Sequence, residues 1–253
     1  MYPDLKGKTV VITGASAGLG KTIARRFLET GSRVIAVGRS EITWLANADR
    51  GNCEHVQCDI RDTGPVESWL ADWEQAGNTV HVLVNNAGII EEGALLDYSQ
   101  DAWDSTFDVN LKATFQLCQI FARHMRNQQD GSIVNAASYA ATLPAAFSGV
   151  YAASKAALLS LTRTMAAEWA PYGIRVNAYS PGVVRTPMTE PKLKKNESRM
   201  LEAISLNRLG TADEIANVVL FLSSSASAYI TGANIDVSGG KLVVQDPHAA
   251  WSE

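Results

Sequence analysis

Short, β-branched apolar runs alternate with longer segments of helical periodicity along almost the whole chain. The apolar runs predict seven strands: Thr9–Thr13, Arg33–Val37, Glu54–Gln57, His81–Asn85, Ser132–Ala136, Arg175–Tyr179 and Asn234–Val237. The segments between them predict five helices: Leu19–Thr30, Gly64–Ala76, Ser99–Arg126, Val150–Ala170 and Ala212–Ser223. Such alternation is typical of a parallel sheet covered on both sides. The predicted fold class is therefore α/β, a doubly wound parallel seven-stranded sheet with helices on both faces.

The chain predicts one domain spanning residues 1–253, because no Pro/Ser-rich linker divides it and its length suits a single large α/β unit. One segment, 187–209, breaks the alternation. It is polar, contains two prolines and lies between the last two predicted strands. An insertion at the carboxyl end of a sheet is a natural place for a lid. We therefore expect a substrate lid at 187–209, with a solvated surface excursion as the alternative.

The composition argues against several classes of function. Lys and Arg number 22 against 26 Asp and Glu, whereas non-specific binding of nucleic acid needs clustered positive charge. No segment has the uncharged apolar length of a membrane span, and the first residues lack a signal-peptide core. The three cysteines form no C-x-x-C, which suits thiols in a reducing compartment, and the four histidines lack metal-site spacing. We therefore expect a cytoplasmic protein with no metal, nucleic-acid or membrane partner.

The first predicted strand runs directly into the glycine-rich loop 13–20, T-G-A-S-A-G-L-G, and a predicted helix follows. Glycines allow a tight turn and a close approach of backbone N–H groups to a pyrophosphate, and the helix N-terminus adds partial positive charge. The spacing is G-x-x-x-G-x-G rather than G-x-G-x-x-G, but its position between strand and helix favours a nucleotide site. The residues predicted to bind there are Gly14, Ser16, Gly18, Leu19 and Gly20.

The end of the second predicted strand bears on the choice of coenzyme. A carboxylate there would accept hydrogen bonds from an adenosine ribose and favour NAD, but the chain has Gly38 and Arg39. An arginine can pair with a 2′-phosphate, so NADP is predicted and NAD is the alternative, although Arg39 could instead cap a loop or stack on adenine. Ala17 supplies no second basic residue. Asp59, after the third strand, is placed to accept a hydrogen bond from the adenine amino group or to cap the following helix.

Three later elements predict a site of proton transfer. Tyr151 and Lys155 are four residues apart in a predicted helix and share one face. An ammonium beside a phenol stabilises the phenolate, so we expect the pKa of Tyr151 to fall from about 10 toward neutrality. A tyrosine with such a pKa can exchange a proton with a substrate oxygen. Ser138, at the carboxyl end of a neighbouring strand, can hold that same oxygen by a hydrogen bond.

In these motifs the chain resembles the short-chain dehydrogenase/reductase family, and the resemblance extends from Thr9 to Gly240. The family's motifs are present as T-G-A-S-A-G-L-G (13–20), N-N-A-G (85–88), Ser138, Y-A-A-S-K (151–155) and S-P-G (180–182). Their order and the interval of 13 residues from Ser138 to Tyr151 are also similar to the family. The resemblance implies a Rossmann-like fold. It also implies hydride transfer between NADP(H) or NAD(H) and a carbonyl or secondary alcohol.

The resemblance also implies roles for single residues. Tyr151 is expected to be the general acid/base, Lys155 to lower its pKa and bind the nicotinamide ribose, and Ser138 to orient the substrate oxygen. Asn110 is expected to kink its helix and to hold a water that connects the lysine to solvent. The other residues expected at the adenosine ribose or the nicotinamide are Asn86, Ala87, Gly88, Pro181, Gly182, Val184 and Thr186.

The expected activity is that of an NAD(P)-dependent oxidoreductase acting on a sugar, polyol or keto compound. Glu91, Glu92 and the loop 139–148 are expected near the substrate, although the glutamates could be solvated. Lysines 192, 194 and 195 could attract an anionic substrate or lie in solvent. One alternative is a 3-oxoacyl-(carrier protein) reductase, but the places where such enzymes carry basic residues hold Q-Q-D (128–130) and P-Y (171–172). A non-catalytic dinucleotide-sensing protein is the alternative of another class, and a lyase or epimerase using the same tyrosine is a third.

The resemblance also bears on the assembly and on the C-terminal segment. The resemblance suggests a homo-oligomer, either a homotetramer or a dimer, in which the windows Ser99–Arg126 and Val150–Ala170 pair between subunits. The segment beyond Gly240 is long for the family. Its Trp251 could insert into a neighbouring subunit or belong to a frayed terminus.

Overall fold

Seven parallel strands form one sheet in the order β3-β2-β1-β4-β5-β6-β7 in the computed structural model, which describes residues 2–44, 51–241, 243–244 and 246–251. The strands are β1 (Thr9–Thr13), β2 (Arg33–Gly38), β3 (Cys53–Gln57), β4 (Val82–Asn85), β5 (Gly131–Ala136), β6 (Ile174–Pro181) and β7 (Asn234–Val237). Each corresponds to a predicted strand to within two residues at either end. The predicted doubly wound parallel sheet is confirmed.

The helices are α1 (Gly18–Glu29), α2 (Gly64–Gln75), α3 (Gln100–Phe107), α4 (Thr114–Gln128), α5 (Gly149–Trp169), α6 (Glu190–Glu202) and α7 (Ala212–Ser223). The predicted window Ser99–Arg126 is divided, because a π-helical segment, Asp108–Ala113, separates α3 from α4. Helix α6 lies inside 187–209 and was not predicted. Leu193 is its one buried residue, so its sequence carries almost no apolar periodicity.

Alternate residues of each central strand face two separate cores. In β1, Val11 packs with residues of α2, α4 and α5, whereas Val10 and Ile12 pack with residues of α1 and α7. This is the period of two that a strand imposes on its side chains. Because helices cover both faces, both sets of side chains are apolar. Because both faces of the sheet are buried, these strands appear in the sequence as continuous apolar runs.

Strand β1 pairs with β2 on one side and with β4 on the other. The order of the strands therefore reverses between β1 and β4, and the loops that leave their carboxyl ends diverge. A crevice opens at such a switch point, and ligands of doubly wound sheets bind there. The glycine-rich loop after β1 and the N-N-A-G motif after β4 lie at this crevice.

The segment 187–209 and the C-terminal residues pack on each other near one end of the crevice. Leu193 and Ile204 are buried with Val183, and α6 is interrupted by non-helical dihedral angles at Asn196. Trp251 donates its indole N–H to the carbonyl oxygen of Ser205 at 2.9 Å. Trp251 therefore contacts its own chain, an arrangement that neither expectation for it included.

Candidate active site

A cleft of about 690 Å³ lies at the carboxyl ends of the strands, within the usual size range of ligand sites. Arg39 and Asp59, which follow β2 and β3, line the cleft, and Tyr151 and Lys155 also face it. Between them the cleft passes the glycine-rich loop 13–20. A cleft of this size that joins these groups along a glycine-rich loop fits a nicotinamide dinucleotide.

Glycines are required in the loop after β1 by conformation and by space. Gly14 and Gly18 have φ angles of +68° and +54°, which other residues rarely adopt. A Cβ at Gly20 would lie 2.2 Å from the carbonyl oxygen of Gly14 and 2.6 Å from Nδ2 of Asn86. Gly20 therefore packs α1 against the loop and does not line the cleft. The first turn of α1 carries no side-chain cap, so its backbone N–H groups can serve a pyrophosphate.

Asn86 and Thr13 fasten the loop after β1 to the loop after β4. Asn86 Nδ2 donates to the carbonyl oxygens of Thr13 and Gly14 at 3.1 and 3.4 Å. Thr13 Oγ1 accepts the backbone N–H groups of Asn86 and Ala87, both at 3.0 Å. Tyr179, which sequence reasoning missed, donates its buried hydroxyl to Asn86 Oδ1 at 3.2 Å. The two loops are thus held together by hydrogen bonds from both sides.

Two arginines flank Asp59 in the cleft. Arg61 donates through Nε and Nη2 to the two carboxylate oxygens at 3.1 and 2.7 Å, and Arg39 Nη1 lies 3.8 Å from Oδ2. The hydrogen bonds from Arg61 lower the pKa of Asp59 to about 2. Asp59 does not cap α2, since Asp62 accepts the N–H of Gly64 at the start of that helix. Arg61 was not predicted, although its position two residues after Asp59 was a signal.

Tyr151 and Lys155 lie together, with Lys155 Nζ 5.9 Å from the centroid of the Tyr151 ring. Burial raises the pKa of Tyr151, and a hydrogen bond with Ser138 opposes this. The expected fall of this pKa is therefore not found, because the phenolate is desolvated and Lys155 Nζ donates to the carbonyl oxygen of Ala136 at 2.7 Å. Burial lowers the pKa of Lys155 to about 8.

Asn110 and Gly88 complete the surroundings of the lysine. Asn110, in the π-helical segment, donates Nδ2 to the carbonyl oxygen of Ile89 at 2.9 Å and to Ser154 Oγ at 3.2 Å, and its Oδ1 accepts the N–H of Ile89 at 2.9 Å. A Cβ at Gly88 would lie 3.1 Å from Asn110 Oδ1 and 3.4 Å from Lys155 Nζ. A helix irregularity therefore occurs at the residue expected to kink it, and the missing side chain of Gly88 leaves Asn110 near Lys155.

The remaining predicted residues divide into two groups. Pro181 and Thr186 line the cleft, as do the predicted residues Ser16, Leu19, Ala87 and Gly88. Gly182 instead packs on Ser238, whose Cα would lie 2.5 Å from a Cβ at this glycine. Val184 is buried in the core beneath α1 and α7. Of the four residues expected at the nicotinamide, Pro181 and Thr186 therefore line the cleft, whereas Gly182 and Val184 pack behind it.

Among the described residues, no group of three or more His, Cys, Asp or Glu side chains is arranged to hold a metal ion. None of the helices described has both the length and the apolar character needed to cross a bilayer.

Known proteins resemble this chain over nearly its full length. Residues 14–241 match the family described as enoyl-(acyl carrier protein) reductase. The chain is 40% identical over 248 residues to protein FixR of Bradyrhizobium diazoefficiens, which covers 92% of this chain and 86% of FixR. It is 36% identical over 244 residues to the 3-oxoacyl-[acyl-carrier-protein] reductase FabG of Thermotoga maritima, covering 94% of this chain and 99% of that protein.

A solved structure gives the same result for the fold. The gluconate 5-dehydrogenase of Burkholderia cenocepacia, in complex with NADP and tartrate, matches with a TM-score of 0.89 at 31% identity, over 95% of this chain and 97% of that one. Together with the cleft and its motifs, these similarities make the protein an NAD(P)-dependent oxidoreductase of small-molecule carbonyl or alcohol groups. The chain belongs to the short-chain dehydrogenase/reductase family.

Proposed function

We propose that this enzyme uses NADP(H) to interconvert a carbonyl and a secondary alcohol on a polar small molecule, with Tyr151 as the acid/base. The observation that carries the proposal is the cleft that joins the arginine pair at Asp59 to the Tyr151 and Lys155 side chains, with Ser138 hydrogen-bonded to Tyr151. The nicotinamide, when bound, supplies or accepts the hydride. The chain itself supplies binding, orientation and the proton.

In the direction of reduction, Tyr151 donates its phenolic proton to the substrate oxygen. Ser138, which hydrogen-bonds with Tyr151, orients that oxygen. Because burial raises the pKa of Tyr151, the phenol is protonated at neutral pH, as a proton donor must be. The Lys155 ammonium stabilises the phenolate that remains. Asn110 positions the lysine, and we assign to it the water through which a proton returns from solvent.

Arg39 and Arg61 support NADP over NAD. Both guanidinium groups line the cleft, and Asp59 between them carries one negative charge against their two positive charges. The excess positive charge favours a ribose 2′-phosphate over a neutral hydroxyl. Titration of the protein with NADPH and NADH, followed by tryptophan fluorescence, tests this. Tighter NADPH binding is expected, and equal or tighter NADH binding would reverse the assignment.

The Tyr151→Phe variant tests the role of the tyrosine. Loss of the acid/base is expected to lower kcat by on the order of 10²- to 10⁴-fold. Coenzyme affinity is expected to change little, because the hydroxyl is the only group removed. Turnover equal to that of the wild type would overturn the mechanism. A dinucleotide-sensing protein would bind coenzyme in the same titration but oxidise none of it in the presence of any carbonyl compound.

For the substrate, we favour a free sugar, polyol or keto compound, which fits the similarity to a gluconate 5-dehydrogenase. A second candidate is a 3-oxoacyl-[acyl-carrier-protein] substrate, the substrate named for the Thermotoga maritima relative. One observation favours it. The Arg126 guanidinium lies 5.7 Å from the centroid of the Tyr172 ring, and so places a cation beside residues 171–172, where carrier-protein reductases are expected to carry basic residues. Comparing acetoacetyl-carrier protein with free acetoacetate distinguishes the two.

The segment 187–209 supports a further proposal, that it acts as a substrate lid. Its Lys192 forms an ion pair with Glu92 of the loop after β4, so α6 is connected across the crevice. Leu193 and Ile204 pack it on the body of the protein. A lid of this kind would exclude water from the reacting carbonyl.

We propose a homo-oligomer, a tetramer or a dimer, in which α4 and α5 pair between subunits, and light scattering coupled to size exclusion tests it.

We also propose a cytoplasmic location. The thiols of Cys58 and Cys118 are buried, and thiols persist in a reducing compartment.

A further inference from the structure

Lys241, just beyond the last strand, lies against the ring of Tyr139, the residue that follows Ser138. We propose that Lys241 binds an anionic group of the substrate, so that the enzyme acts on a keto or hydroxy compound that also carries a carboxylate or a phosphate. This inference rests on the proposed oxidoreductase function and narrows its substrate class.

A turn of two glycines fixes the backbone that leads to Lys241. Gly239 and Gly240 have φ angles of +68° and +78°. The N–H of Leu206 donates to the carbonyl oxygen of Gly239 at 3.0 Å, and Ser205 Oγ donates to that of Gly240 at 2.9 Å. Lys241 is thus held against the end of the segment 187–209 rather than on a free tail.

Tyr139 connects Lys241 to the reacting residues. Lys241 Nζ lies 5.4 Å from the centroid of the Tyr139 ring. Tyr139 follows Ser138 directly in the chain and packs on Val183 and Leu193, beneath the proposed lid. Its phenol is also close enough to Tyr151 for a phenolate there to raise the pKa of Tyr151. The lysine and the acid/base tyrosine are therefore both near one aromatic side chain, that of Tyr139.

Lys241 combines partial burial with the lack of an acidic partner in the part of the chain that the structure describes. Lys192 pairs with Glu92, and Arg185 pairs with Glu190 and Glu197. Lys241 is half-buried, contacts an aromatic face, and its pKa is lowered by burial. A partly desolvated cation without a counter-ion gains more from an anion than a hydrated surface lysine does.

The acidic group near Tyr139 does not oppose this assignment. Glu92 is near enough to Tyr139 to raise the pKa of that phenol. Its carboxylate is neutralised by Lys192 in the ion pair that connects α6 to the loop after β4. An anion approaching Lys241 therefore meets an uncompensated positive charge, while the nearby carboxylate of Glu92 is already paired.

The experiment compares matched substrates on Lys241→Met, which keeps an apolar stem on Tyr139, and on Lys241→Arg, which keeps the charge. The probes are 5-oxohexanoate with its methyl ester, and dihydroxyacetone phosphate with dihydroxyacetone. Removal of the charge is expected to raise KM for the anion by on the order of 10- to 100-fold, with kcat little changed, because the contact is remote from the reacting carbon. The neutral partner should be unaffected, and arginine should restore most of the affinity.

Lys6→Met is the control, since Lys6 is an exposed lysine to which no role in binding is assigned. A larger effect on the keto acid than on the phosphate assigns a carboxylate, and the reverse assigns a phosphate. Equal losses for the anionic and neutral probes would overturn the inference, because they indicate a structural role. So would a wild-type enzyme that prefers the uncharged member of each pair.

Failure of the proposed function gives a different result. In that case the wild type would reduce none of the probes with either coenzyme. The anion site is then tested without turnover, by the thermal stabilisation that tartrate gives to the NADPH-bound protein. Stabilisation that is lost in Lys241→Met and kept in Lys6→Met supports the site, and stabilisation equal in all three proteins overturns it.

Discussion

Arg61 donates hydrogen bonds to both carboxylate oxygens of Asp59, at 3.1 and 2.7 Å, in the cleft. Asp59 thereby fixes the guanidinium of Arg61, which was not predicted from the sequence, beside that of Arg39, which was. The coenzyme preference of this enzyme should therefore depend on two arginines rather than one.

Replacing either arginine should weaken NADPH binding selectively. For Arg39→Ala and Arg61→Ala we expect the Kd of NADPH to rise by on the order of 10-fold or more, since charge-assisted hydrogen bonds contribute about 1.5–3 kcal/mol. The Kd of NADH should change by less than about threefold. Tryptophan fluorescence titration measures both, and Arg25→Ala, an exposed arginine of α1, is the control. Equal weakening of both coenzymes would contradict the assignment.

Lys155 should make stability depend on alkaline pH. Burial lowers its pKa to about 8 from an ordinary 10.5, so between these values the unfolded chain binds more protons and the free energy of unfolding rises with pH. The penalty for burying the ammonium is complete below pH 8 and absent above about 10.5, a difference on the order of 3 kcal/mol.

Urea unfolding of the wild type and of Lys155→Met at a series of pH values measures this dependence. The wild type should gain stability relative to the variant between pH 8 and about 10.5. Groups that do not interact with Lys155 titrate alike in both proteins and cancel in the difference, and Tyr151→Phe in both backgrounds removes the contribution of the neighbouring phenol. The exposed Lys194→Met variant should give a flat difference. A gap between wild type and Lys155→Met that does not change with pH would show that the lysine is less desolvated than its burial indicates.

Gly20 should tolerate no side chain. The Cβ of Gly20→Ala would lie 2.2 Å from the carbonyl oxygen of Gly14, a backbone atom that cannot move without opening the loop. We expect a loss of about 1–3 kcal/mol in the free energy of unfolding, and weaker binding of both coenzymes. At Gly51, nothing lies within 4 Å of the corresponding Cβ, so Gly51→Ala should be close to neutral. Similar unfolding curves for the two variants would disprove the packing argument.

The Lys192–Glu92 ion pair should contribute modestly to closure of the proposed lid. Both side chains are about two-fifths exposed, so the coupling energy should be about 0.2–1 kcal/mol and should decrease with salt. In a double-mutant cycle of Glu92→Gln and Lys192→Met, KM should rise in each single variant, and the two effects should not add. Strict additivity at low salt would exclude coupling through this pair.

The sequence predicted the sheet well because burial on both faces leaves a clear mark, as in the run V-V-I of β1. The glycine-rich loop and the Tyr151–Lys155 pair were also predictable, since backbone conformation and helical spacing restrict them. Helix α6 was not, because its single buried residue, Leu193, gives no periodicity. The raised pKa of Tyr151 depends on surrounding burial that spacing alone does not reveal.

The hydrogen bonds of Asn86 and Thr13 hold the glycine-rich loop 13–20 in its conformation through contacts within the protein. Coenzyme binding therefore need not order this loop, and little conformational entropy is lost there on binding. The difference in affinity between NADPH and NADH then reports the contacts of the 2′-phosphate itself, without a folding contribution. Calorimetry should find closely similar heat-capacity changes for the two coenzymes, which makes this enzyme a suitable scaffold for measuring the energetic contribution of a single phosphate group.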